Sequence, residues 1–418
     1  MRVLLGPAHE LHVGVHGSLL AAPPPGATYV QCTYTLRLRP DREAHQPFSP
    51  LHDPAVAEWA RFHDVPSDVQ VVHSSRLPVQ TPLPWVVDAD SLMTPLQVGR
   101  FFALGAAARG EVPIPSPGAV ARREAAMVEW YSHRRCARIL FRTEYARRTF
   151  LGHLGDRGHR SETVEELAAK SEVVYPAVPA SGAVSRTGRP VTVLYMGRTA
   201  QDKGASVAAE VFARLRERHG ARVRLVFLGP CPSRLADGLA AIGVRLTPVL
   251  PRSAYLSQLG RADVFLSPTT FESFGMGLLE AAAAGLAIVC SDGPGMEHIG
   301  ELFAHGENAL FVSNADPVAE RVSGYTAAVS ELIDNEPLRR RFTLNNRALT
   351  GHGKLSIRQR NERLGAVYAH AADLGSRLAS DTDGAPGEGA RRIVDWPEQI
   401  CHWAEQRCTA RIGSRVIG

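Results

Sequence analysis

Between Val191 and Arg341, short apolar runs alternate with stretches of helical periodicity, and this alternation constrains the fold more than any other feature. Val191–Met196 and Val223–Leu228 are apolar and β-branched, and each is closed by a glycine. Val244–Leu250, Asp263–Ser267, Leu286–Cys290 and Ala309–Val312 continue the series. Helical patterns at Ala205–Arg218, Ser253–Leu259, Gly277–Ala284 and Pro317–Ile333 separate most of them. Strands alternating with helices predict a mostly parallel, doubly wound α/β sheet. Such a sheet takes its ligand beyond the carboxyl ends of its strands.

The first half repeats the pattern less regularly. Arg2–Leu5, Thr28–Leu36, Val69–Val72, Trp85–Ala89, Ile139–Phe141 and Val173–Tyr175 read as strands, and Pro95–Leu104, Ala119–His133 and Thr143–Leu154 as helices. A second sheet of the same class is expected. The turn-rich stretch Pro179–Pro190 reads as the linker between the two. Ile357–Leu378 reads as one long helix, Thr382–Ala390 as a flexible polar segment, and Arg391–Gly418, with Trp396 and Trp403, as a C-terminal extension. The expected divisions are residues 1–178, 179–190, 191–350, 351–378 and 379–418. A length of 418 residues accommodates two such domains.

Several classes are excluded. No run of 18 apolar residues is present, so no spanning helix is expected. His9, Glu10, His12 and His16 interrupt the N-terminus, which lacks the apolar core of a signal peptide, and a cytoplasmic location is expected. The 47 basic and 42 acidic residues give +5, spread along the chain rather than gathered in a stripe, so nucleic acid is not an expected partner. No basic amphipathic helix indicates membrane association. None of the six cysteines forms a C-x-x-C pair, which argues against zinc and for free thiols. His12 and His16, with a glycine between them, read as solvated loop histidines rather than metal ligands.

Three loops carry candidate chemistry. Gly197-Arg198…Lys203-Gly204 follows a strand and precedes a helix, where free N–H groups and the positive helix end suit a phosphate. Arg198 can fork onto two phosphate oxygens and Lys203, one of only three lysines, adds a point charge. The same residues fit an ordinary glycine-bounded loop with solvated charges. In the second, Glu272-Ser-Phe-Gly-Met-Gly-Leu-Leu-Glu280, two carboxylates flank a helix start and can accept from sugar hydroxyls. Equally, Glu272 can favour the helix dipole while Glu280 is solvated. The third, Ser291-Asp-Gly-Pro-Gly-Met-Glu297, is alone only a turn signal, but it ends the next strand of the same sheet.

Taken together, YMGRTAQDKG, the segment from Gly260 to Ile299 and GENALFV resemble the C-terminal domain of retaining glycosyltransferases of the GT-B fold, family 4, with its E-x7-E element at Glu272 and Glu280. The resemblance covers about Val191–Phe342. It implies two Rossmann-like domains facing across a cleft, with a nucleoside-diphosphate sugar, UDP- or GDP-linked, bound mainly by the second. Carried over, Arg198 and Lys203 hold the diphosphate, Glu280 the ribose, and Glu272 with the backbone of Phe274 and Gly275 the donor sugar. Gly197 shapes the phosphate loop, and Arg252 lies where the base binds. The nucleotide sugar is a substrate and no cofactor is implied; a hydroxyl-bearing acceptor is the second partner.

In the first half the family's glycine-rich loop corresponds to GPAHELHVGVHG, with Gly14 and Gly17 as candidate contacts. Where the family often shows a histidine, this chain has Asp88-Ala89-Asp90, which places these two carboxylates on the acceptor or donor-sugar side. A D-x-D can hold a divalent metal against a diphosphate, but Arg198 and Lys203 already supply the neutralising charge, so a metal-independent site is expected. The GC-rich composition and divergent first half favour a small-molecule or secondary-metabolite acceptor. The GT-B resemblance also offers the apolar stripe Ile357, Leu364, Val367, Tyr368, Ala371 and Leu374 a surface on the first domain, so the last helix is expected to cross back. Two other readings stay open: another GT-B activity, such as a sugar-nucleotide epimerase or a phosphorylase, and a non-catalytic nucleotide-sugar-binding protein.

Overall fold

The second half folds as its alternation requires. In the computed structural model, which describes residues 1–38, 57–89, 117–180, 188–197 and 203–380, the chain divides into two units. One comprises Met1–Val174 and the chain from Asn361 onward, the other Tyr175–Arg360.

The second unit holds strands β10 (Val191–Met196), β11 (Val223–Leu228), β12 (Arg245–Thr247), β13 (Val264–Ser267), β14 (Ala287–Asp292) and β15 (Ala309–Ser313). All pair in parallel, in the order β12-β11-β10-β13-β14-β15. Alternate residues of β10 enter opposite cores. Val193 and Tyr195 pack with Val207, Phe212 and Val329 of the helices Ala205–His219 and Val318–Asp334. Leu194 packs with Tyr255, Leu259 and Leu278 of the helices Arg252–Arg261 and Met276–Ala283. Coverage on both faces is why these strands are near-continuously apolar.

The first unit has its own parallel sheet of β1 (Arg2–Gly6), β2 (Thr28–Val30), β5 (Val69–Ser74), β7 (Trp85–Ala89), β8 (Cys136–Phe141) and β9 (Ser171–Val173), in the order β2-β1-β5-β7-β8-β9. The stretch read as one strand, Thr28–Leu36, is two. Thr28–Val30 joins the main sheet, whereas β3 (Tyr34–Leu38) pairs antiparallel with β4 (Ala57–Phe62) in a small sheet completed by β6 (Val79–Gln80). The polar Gln31-Cys32-Thr33 between them marks the break. The expected helix Pro95–Leu104 and the segment from residue 381, with Cys401 and Cys408, lie outside the described residues, as does most of the linker. Cys32, Cys136, Cys231 and Cys290 are free thiols.

Among the described residues, five helices are not among those expected from the sequence: Val15–Ala21, Ser161–Lys170, Ser233–Ala241, Ile299–Leu302 and Glu336–Gly351. The last buries only Phe342, Asn346 and Thr350, and is started by the Asn335 side chain accepting from Leu338 N–H at 3.0 Å. The long helix Ile357–Ser380 begins in the second unit and belongs to the first from Asn361. Leu364, Val367, Tyr368 and Ala371 pack on Val3, Val71, Val86 and Leu140 of the first unit's sheet. Among the described residues, no helix is long and apolar enough to cross a membrane.

Leu364 is fully enclosed in this contact. Leu364→Ala is expected to destabilise the first unit by about 2–5 kcal/mol, read as a lowered denaturant midpoint. An unchanged midpoint would show that the helix does not hold this sheet.

Candidate functional site

The strand order of the second sheet reverses between β10 and β13, and loops leaving such neighbours diverge, opening a crevice at their carboxyl ends. The first two candidate loops leave these two strands. After β10, Gly197 donates its N–H to Leu228 O at 3.1 Å. Gly204 then turns the chain into the helix Ala205–His219 with φ of 70°, and a Cβ there would collide with the Pro268 carbonyl oxygen beyond β13. Glycine thus lets the two loops touch. Across the contact the Lys203 ammonium donates to the Glu272 carboxylate, each side chain about one quarter exposed. Arg198 lies outside the described residues.

The third loop joins them: Glu272 N–H reaches Gly295 O at 3.4 Å. Past Glu272, buried Phe274 leads to Gly275, whose φ of 90° starts the helix Met276–Ala283 without a side-chain cap. Glu280 lies within this helix and is buried, with Oε1 taking Arg252 Nη1 at 2.5 Å. The Arg252 guanidinium also stands over the Tyr255 ring at 5.9 Å from its centroid. Glu280 is therefore not the solvated carboxylate of the alternative reading. His298 is buried close by; burial lowers its pKa, against an opposite pull from the charge of Glu272.

The first unit has a comparable edge, and here the sequence reading needs correction. His16 is not solvated. It lies in the helix Val15–Ala21, 1% exposed, with Nε2 2.8 Å from Asp88 Oδ2. His73, which sequence reasoning did not single out, sits on the neighbouring strand with Nε2 3.1 Å from Asp88 Oδ1. Burial alone would raise the Asp88 carboxyl, but the charge of His73 and N–H bonds from His16 and His73 outweigh it and hold it well below the usual carboxylate range. Both Asp88 oxygens are thus taken by imidazoles. Asp90 lies outside the described residues. Gly14 N–H is occupied by His12 Nδ1 at 3.0 Å, and Gly17 is inside the helix with open space where a Cβ would stand. Among the described residues no cluster of His, Cys, Asp and Glu could hold a metal ion.

Residues 190–335, which contain the whole crevice of the second sheet, match the family described as glycosyl transferases group 1. The second unit carries a group 1 glycosyl transferase domain. Over 162 residues the chain is 29% identical to 2-deoxystreptamine N-acetyl-D-glucosaminyltransferase of Niallia circulans, covering 37% of this chain and 39% of that protein. Over 155 residues it is 33% identical to glycogen synthase of Mycobacterium tuberculosis, 36% of this chain and 35% of that protein. The chain thus spans little more than a third of the length of these curated relatives. Among solved structures, Anabaena HepE in complex with UDP and glucose matches with a TM-score of 0.51 and 12% identity, covering 72% of this chain and 78% of that one. This likeness is one of fold, and the fold is the GT-B class expected from the sequence.

Within the group 1 domain, residues singled out by their loops or by the resemblance converge: Lys203 on Glu272, and Arg252 on Glu280. Tyr255 and His298 were missed, because a lone aromatic or histidine in a helical or turn-rich stretch gives no signal until the fold brings it to the site.

Burial also sets a pH dependence. His16 and His298 are held neutral, chiefly by burial, with pKa values below the ordinary 6.5. As pH falls through 6.5 the unfolded chain takes up these protons first, so their contribution to stability is complete above 6.5 and declines below it. Each group adds a slope of up to about 1.4 kcal/mol per pH unit. Denaturant midpoints are expected to fall between pH 7 and 5, and less steeply in His16→Gln. Parallel pH profiles for the two proteins would refute a neutral buried His16.

Proposed function

We propose that the chain is a retaining glycosyltransferase that moves a hexosyl or N-acetylhexosaminyl group from a nucleoside-diphosphate sugar to an acceptor hydroxyl. The observation that carries this reading is the Lys203–Glu272 pair at the reversal of strand order, beside the uncapped start of the helix Met276–Ala283, in a group 1 glycosyl transferase domain.

In the reaction the bond from the anomeric carbon to the diphosphate oxygen breaks and its electron pair leaves with the nucleoside diphosphate. A new bond forms from the acceptor oxygen, and the acceptor proton passes to the departing phosphate, so no protein base is required. The developing charge falls on the phosphate. Lys203, Arg198 and the N–H groups opening the helix after Gly275 stabilise it, the helix N–H groups being oriented before it appears. When Lys203 turns to phosphate, Glu272 gains a free oxygen for sugar hydroxyls. Glu280, fixed by Arg252, takes the ribose hydroxyls, and the Arg252–Tyr255 pair flanks the base.

The diphosphate charge is met by side chains, and Asp88, with both oxygens engaged, is not free to ligate a metal. On this reading the reaction needs no divalent cation. The Niallia circulans relative, named for transfer to 2-deoxystreptamine, supports a small-molecule acceptor.

Lys203→Ala and Arg198→Ala are each expected to cut turnover on the order of 100-fold or more with the fold intact; near-normal activity in both would dismiss the diphosphate site. Glu280→Gln should weaken binding of the bare nucleoside diphosphate by roughly 1.5–3 kcal/mol in calorimetry, and unchanged affinity removes Glu280 from the ribose role. Activity should survive EDTA; its loss on chelation and return with manganese would overturn the metal-free reading.

A further inference from the structure

The imidazoles around Asp88 are engaged at every nitrogen. His12 main-chain N–H donates to His16 Nδ1 at 2.7 Å. His73 Nδ1 lies 2.6 Å from Tyr368 Oη, which lies 2.9 Å from Tyr29 Oη. A backbone N–H only donates and an ionised carboxylate only accepts, so the network has a direction. His16 Nδ1 must be the bare nitrogen, and His16 Nε2 therefore carries the proton and donates to Asp88 Oδ2. His73 likewise turns Nε2–H to Asp88 Oδ1, and its Nδ1 shares a hydrogen bond with the Tyr368 hydroxyl, which is bonded in turn to that of Tyr29.

The two arms differ in one respect. The tyrosine arm is built of hydroxyl rotors and can run in either direction. The other arm ends on a peptide N–H and cannot reverse. The Asp88 carboxylate and the His12 N–H therefore demand the same tautomer of His16, and Asp88 Oδ2 holds the ring with Nδ1 turned to the His12 main chain.

We propose that Asp88 is a positioning residue for the loop between β1 and the helix Val15–Ala21, acting through His16 on the main chain of His12. This loop leaves β1 at the reversal of strand order between β1 and β5, where an α/β sheet presents its ligands. Its other anchor is Glu10, whose carboxylate pairs with Arg76 and whose carbonyl accepts from Ser75 Oγ at 2.9 Å. His12 Nδ1 then accepts from the N–H groups of Gly14 and Val15 at 3.0 and 3.3 Å. A loop secured at His12 thus hands its shape on to the start of the helix. Asp88 serves as an internal acceptor, in a D-x-D that would otherwise suggest a metal.

The test uses the full-length protein with ¹⁵N-labelled histidine, read by imidazole nitrogen shifts and amide hydrogen exchange. Neither readout requires activity, so the outcome is independent of the transferase reading. In the wild type, His16 and His73 should both carry the proton on Nε2. In Asp88→Asn, the amide oxygen should keep His16, whose partner cannot reverse, and the amide N–H₂ should face His73. His73 should then switch to the Nδ1–H tautomer, with the His12 amide still protected. Asp88→Ala should speed His12 amide exchange at least tenfold while amides of β8 keep their protection. A proton on His16 Nδ1 in the wild type overturns the proposal, as does an Asp88→Ala protein with His12 still protected. If the alanine variant does not fold, the Asp88→Asn tautomers decide: a switch at His16 instead of His73 also overturns it.

Discussion

A parallel sheet covered by helices on both faces leaves its polar business to the carboxyl edge, and everything functional in this chain follows from that constraint. Each sheet reverses its strand order once near its centre, between β10 and β13 in one unit and between β1 and β5 in the other. At both reversals an ion pair ties the loop of the first strand to the loop of its neighbour: Lys203 to Glu272, and Arg76 to Glu10. The partly exposed Lys203–Glu272 pair contributes little to stability, typically under about 1 kcal/mol, whereas Glu10 is buried against Arg76. Their effect is placement. They hold two loops at one spacing over the edge of a rigid sheet.

The extent to which this was legible depended on burial. Strands β10 and β11 were readable to the residue, because both faces are covered and the run is apolar but for Thr192 and Arg224. The stripe Leu364, Val367, Tyr368 and Ala371 was readable because it packs on one broad surface. Glu336–Gly351 was not, since two of its three buried residues, Asn346 and Thr350, are polar and leave no apolar stripe to detect. Thr28–Leu36 misled for another reason. Its β-branched residues fit strand geometry at both ends, and only the pairing partners show that the two ends belong to different sheets.

The site divides in the same way. Lys203, Glu272 and Glu280 stood out since each belongs to a loop whose spacing carries a mechanism. The chemistry of Asp88 was read as a choice between a metal ligand and an acceptor-side carboxylate. The third outcome, an acceptor for two imidazoles, needs His16 from a helix and His73 from another strand. No spacing in the sequence encodes that meeting: residues 16, 73 and 88 come together only through the strand order. His16 was misplaced because a short helix with glycine as its third residue gives almost no helical signal.

The two edges also differ in what a ligand can do to them. At Lys203 and Glu272 both partners are about a quarter exposed, so an anion can exchange for the carboxylate without stranding a buried charge. At Asp88 the carboxylate and both imidazoles are nearly enclosed, and removing any one acceptor leaves an N–H unsatisfied, at about 1–3 kcal/mol. The first edge is therefore suited to trading partners as charge arrives and departs, the second to holding one geometry throughout. A group transfer needs both properties: cations that follow a leaving group, and a framework that stays fixed while they do. In this chain they fall on different sheets, and the polar groups of the first unit were bound to look unlike a catalytic motif, because their task is to remain where they are.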